Sequence, residues 1–250
     1  MQTFTSSNQA TDNPILARYE QGGTSTQALL APLWEIAEES STMIPGFAFG
    51  RERVRENAIP FFHLLGEALP GGVEPVRVLL VGGVAGHENF AGAVVASLIA
   101  KIEPVSRFRA GLEITALPFV HGTEFLSLQP LWRGIADNAH SAVEHEASRQ
   151  KFDLVIHVHE APCNVDLHVE GWSTNSGTTR VLKDAHRRIE SENQLLWSSF
   201  NREASVLPRI FTPFPNETDS PAELAVEIPT GIPSATVLDL FLTHFLFVTH

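Results

Sequence analysis

Residues 76–84 read VRVLLVGGV, and residues 85–89 continue AGHEN. Apart from Arg77, the first six are apolar, and the run is bounded by Pro75 and by Gly82-Gly83. A short apolar run between turn residues predicts a strand buried on both faces. Residues 90–102 (FAGAVVASLIAKI) are small and apolar at helical spacing and stop before Pro104. Strand, glycine turn and buried helix follow one another within 27 residues, as at the start of an α/β unit.

The same alternation extends outward. Residues 111–120, 153–159 (DLVIHVH) and 223–228 (ELAVEI) read as further strands. Residues 25–39 (despite Pro32), 136–150, 179–200 and a segment from Ser234 onward read as helices. Residues 47–65 read as extended, with a polar break at 51–57, and residues 1–24 as a polar N-terminal arm. The expected fold is a single α/β domain over residues 25–250, with a mixed, mostly parallel central sheet and helices on both faces.

Seventeen basic against 29 acidic residues leave a net charge of −12, which repels phosphate and argues against nucleic acid as a partner. The most apolar helix candidate, residues 237–248, contains Asp239 and His244 and is too short to span a bilayer. The single Cys163 excludes an internal disulfide, and residues 1–10 carry no basic-then-apolar signal pattern, so a cytoplasmic location is the expectation.

In sheets of this kind ligands bind beyond the carboxyl ends of the strands. After the first buried strand comes His87-Glu88. Glu88 is either an acid favoured by a helix N-terminus or a hard metal ligand. After 153–159 comes Glu160. His157 and His159, two apart on a strand, share a face and either hold an ion or form a hydrogen-bonded pair. In 223–228, Glu227 is flanked by apolar residues, a setting suited to a general base or to a paired structural carboxylate. His145, His168 and His186 read as surface or helix histidines. Residues 171–179 read as a polar loop, either a lid or simply solvated.

These segments together resemble the zinc carboxypeptidases and the related succinylglutamate desuccinylase/aspartoacylase hydrolases. GGVAGHE at 82–88 is similar to that family's GG-x-His-Gly-x-Glu. DLVIHVHE at 153–160 resembles its Asp-Leu-x-x-Asp-x-His-Glu, and ELAVEIPT at 223–230 its late catalytic strand. LPFVHG at 117–122 resembles its Leu-Pro-x-x-Asn-Pro-x-Gly turn, and residues 49–65 its extended segment before the first motif. The resemblance spans about residues 47–250. It implies a carboxypeptidase-like fold, zinc held by Glu88 and His159, Glu227 as general base and Arg133 as oxyanion stabiliser. It also implies substrate contacts at His121 and Asn138, and a peptide or small N-acyl amino acid as substrate.

The chain also departs from the pattern. Ala85 stands where the family has its first histidine ligand, so a third donor has to come from His87 or His157. Ala139 stands where the family has an arginine that clamps the substrate carboxylate. Two functions are therefore in view: a metal-dependent amide hydrolase, or a degenerate relative that binds a ligand or partner in the same cleft. A nucleotide site at 82–86 is disfavoured, because neither the dinucleotide glycine pattern nor a Gly-Lys-Ser/Thr is present.

Overall fold

The computed structural model describes residues 13–22, 25–48, 58–68, 71–72, 74–83, 88–120, 151–161, 168–172 and 222–230. Among these residues seven strands form one sheet: β1 (Met43–Ala48), β2 (Ile59–Leu64), β3 (Val76–Val81), β4 (Leu112–Leu117), β5 (Leu154–Ala161), β6 (His168–Trp172) and β7 (Ala222–Pro229). Their order is β1-β2-β4-β3-β5-β7-β6. The four central strands, β4-β3-β5-β7, run parallel, and β1, β2 and β6 complete the sheet antiparallel at its edges.

The helices are α1 (Pro14–Glu20), α2 (Thr26–Glu39), α3 (Asn89–Ile102) and the short α4 (Ser106–Arg109). α3 lies directly on β3, β4 and β5, and α1 and α2 pack over it. Sandwiched in this way, α3 is buried from Phe90 to Ile99 without interruption, which explains its small, all-round apolar sequence. Val78, Leu80, Ile156, Val158, Leu224 and Val226 face this layer. The alternate residues Leu79, Val81, Leu117 and Val155 form a second buried cluster on the opposite face. Burial on both faces is the reason the central strands read as continuous apolar runs. Among the described residues no helix is long and apolar enough to cross a membrane.

Most of the strands and helices anticipated within the described residues are present with small shifts at their ends, although β1 begins at Met43, ahead of the extended segment expected from residue 47, and the mixed sheet is as expected. Three differences have physical causes. The core begins inside the polar arm: Ile15 and Leu16 are fully or almost fully buried. Asn13 caps α1 by accepting from the amides of Ile15 and Leu16, and it accepts from the Ser97 hydroxyl of α3 at 3.0 Å. Pro32 is tolerated inside α2 because its missing N–H leaves the Ala28 carbonyl to another donor, the Arg18 guanidinium at 2.9 Å. β6 was not anticipated, and it takes up His168 and also Gly171 and Trp172 from the expected loop. The helices expected at 136–150, at 179–200 and beyond 234 lie outside the described residues.

Gly92 lets α3 approach the end of β4 closely. A Cβ there would meet the Phe119 ring at 2.2 Å, and that ring is itself buried. Gly92→Ala should therefore destabilise the fold by about 1–3 kcal/mol despite alanine's better helix propensity. Urea unfolding checks this, and Phe119→Leu in the same chain should restore part of the loss.

Candidate active site

β3 is joined through α3 to β4 on one side of it and is paired with β5 on the other, so the strand order reverses at β3. Such a switch point opens a crevice at the strands' carboxyl ends. Both of its walls carry polar residues that the sequence singled out.

The β3 wall turns through Gly82 and Gly83. The Gly82 amide donates to the Leu117 carbonyl at 3.0 Å, and the Val120 amide to that of Gly83 at 3.2 Å. Gly83 has φ +54, and a side chain at Gly82 would meet Val95 and the Pro118 carbonyl within 3 Å. These two glycines are thus required by the left-handed backbone and by the close approach of the β4 exit. α3 then starts with Glu88 as its N-cap residue.

The β5 wall outruns β3. The last β3 pair is Val81 with His157, whereas pairing with β7 continues to Ala161. His159 therefore lies past the end of β3, where Glu88 arrives. The His159 Nδ1 to Glu88 Oε1 distance is 3.2 Å, and both residues are buried, at 7% and 6% exposure. His157 shares the face of His159, as the two-residue strand period requires. Their rings are stacked with centroids 6.4 Å apart. His157 is set one step deeper, opposite Val81 and Ala225.

Glu227 on β7 is the register partner of His159 and is half-buried. On its other side the register partner is His168 of β6. His159, Glu227 and His168 thus occupy one row across three strands. This position on a strand corrects the helix reading of His168. It went unrecognised because residues 168–172 (HVEGW) are too short and polar to signal a strand on their own.

Glu160 was not singled out by the sequence. Its Oε1 accepts from the α3 amides of Phe90, in a short contact, and Ala91 at 3.1 Å. Tyr19 of α1 packs its ring 5.4 Å from that of Phe90. Burial, and secondarily the Glu160 carboxylate, push the Tyr19 hydroxyl pKa up.

The Glu88–His159 pair fits two positions of a metal site. Around a tetrahedral ion with bonds of about 2.0–2.1 Å, neighbouring donors lie roughly 3.3 Å apart, so the observed spacing suits a shared ion as well as a direct hydrogen bond. Among the described residues no group of three His, Cys, Asp or Glu converges on one point. His87, Ala85, His121, Arg133 and Asn138 lie outside the described residues.

Comparison with solved structures places this architecture. A metallo-carboxypeptidase from Burkholderia cenocepacia superposes with a TM-score of 0.63 at 13% identity, covering 90% of this chain and 69% of that one. A metallo-carboxypeptidase from Pseudomonas aeruginosa, in complex with (2-guanidinoethylmercapto)succinic acid, gives a TM-score of 0.54 at 14% identity, covering 88% and 68%. The chain therefore has the metallo-carboxypeptidase fold over most of its length. No protein-family model and no curated protein matches its sequence.

Glu88→Ala removes the carboxylate that faces the buried Nδ1 of His159. In chelator-treated protein it should lower stability by about 1–3 kcal/mol, read as a lower urea midpoint with an unchanged slope.

Proposed function

We propose that the chain is a metal-dependent hydrolase of amide bonds, acting on a peptide end or an N-acyl amino acid. The observation that carries this reading is the buried Glu88–His159 pair at the switch point of a metallo-carboxypeptidase fold, with Glu227 in register beside it. Glu88 and His159 would hold the ion. The third donor is proposed to be His87, next to Glu88, because His157 stacks beside His159 and is opposed by apolar residues. When bound, zinc lowers the pKa of a coordinated water and polarises a carbonyl.

The remaining work falls to the chain's own side chains. Glu227 takes a proton from the attacking water and delivers it to the departing amine nitrogen. Its half-burial limits the solvation of its carboxylate, and β5 and β6 fix its backbone on both sides. Arg133 supplies the fixed positive charge towards the tetrahedral oxyanion. His121 and Asn138 contact the substrate. With Ala139 at the position of the carboxylate-clamping arginine, a substrate without a free terminal carboxylate is disfavoured less than in a standard carboxypeptidase.

Glu227→Gln tests the reading. It should reduce kcat towards peptide or N-acyl amino acid substrates by about 10²–10⁴-fold while leaving the urea midpoint nearly unchanged. Unaltered hydrolysis would overturn the assignment.

The two-donor pair among the described residues, together with Ala85, supports one other reading, a relative that binds in the cleft without turnover. Ala85→His separates the two. If His87 already completes the site, the substitution should change zinc affinity little. A large gain in affinity with newly created activity would identify a lapsed enzyme.

A further inference from the structure

The first turn of a helix presents amides with no intrahelical partner, and the side chain at the N-cap position ordinarily accepts from the second or third of them. In α3 that position belongs to Glu88, whose side chain makes no such bond. Its Oε1 faces His159. The amides it forgoes, those of Phe90 and Ala91, go to Glu160 instead. Glu160 reaches them because it follows Ile156 and Val158 on the α3 side of β5, while His159 between them points to the other side. Adjacent residues of one strand thus address adjacent parts of one helix start.

Both carboxylates are favoured at this end of α3 by its dipole, so they compete for the same donors. Without Glu160, the carboxylate placed by the cap position itself to satisfy the Phe90 and Ala91 amides is that of Glu88. Turning back onto its own helix, Glu88 would give up His159.

We infer that Glu160 is the positioning residue of this site: by capping α3 from β5, it keeps the Glu88 carboxylate turned towards His159. The assignment goes beyond the hydrolase reading and does not depend on it, because it concerns hydrogen bonds of the metal-free chain.

The test is a double-mutant cycle between Glu88→Ala and His159→Ala, measured by urea unfolding in chelator-treated protein. It is run in the natural chain and again in Glu160→Gln and Glu160→Met. The natural chain should show coupling on the order of tenfold in the unfolding equilibrium. Glu160→Gln keeps an acceptor oxygen at the same reach and should keep that coupling. Glu160→Met removes the acceptor and should abolish it. Glu160→Asp, one methylene short of the amides, provides the same loss in a milder form if Glu160→Met does not fold. Coupling that persists in Glu160→Met or Glu160→Asp, with only overall stability reduced, would make Glu160 a purely structural cap and overturn the inference. So would an absence of coupling in the natural chain. A chain that shows the predicted coupling yet binds no zinc would retain this assignment and overturn the hydrolase reading.

Discussion

The site depends on how the buried start of α3 satisfies its amides. A helix sandwiched between a sheet and two other helices cannot leave its first-turn donors to water. The acceptor comes from β5, through Glu160. That one carboxylate ties the end of a central strand to the start of the central helix. It joins the two walls of the crevice and leaves the residue at the cap position available to the site.

The rest of the arrangement is consistent with this junction. Gly82 and Gly83 permit the chain to turn beneath the β4 exit, and Gly92 lets Phe119 close against α3. α1, capped by Asn13 and bound to Ser97, holds α3 from behind. The two strands beyond β5 then set Glu227 in the same row as His159. Each contact is ordinary in size, and together they bring Glu88 against His159 at a strand-order reversal, with Glu227 in register beside His159.

Much of this was legible in the sequence. The apolar run at 76–81 and the small-residue helix after it define the βα unit because burial on all sides leaves a compositional trace. The two-residue period placed His157 and His159 on one face, and the local motifs singled out Glu88 and Glu227. Glu160 was less visible, because its role depends on a helix 70 residues away and leaves no periodic signal. β6 was missed because a short edge strand with a charged, glycine-bearing sequence resembles a loop. The period that put His157 and His159 on one face also sets their rings in a stack with centroids 6.4 Å apart.

The proposed hydrolase requires Glu88 and His159 to hold a metal ion as well as to form a hydrogen-bonded pair. Elemental analysis of the purified chain after zinc loading and dialysis tests it most directly, with His159→Ala as the matched comparison. A stoichiometric zinc is expected in the natural chain, and its loss in His159→Ala. No retained zinc in the natural chain, or equal retention in both, would contradict it.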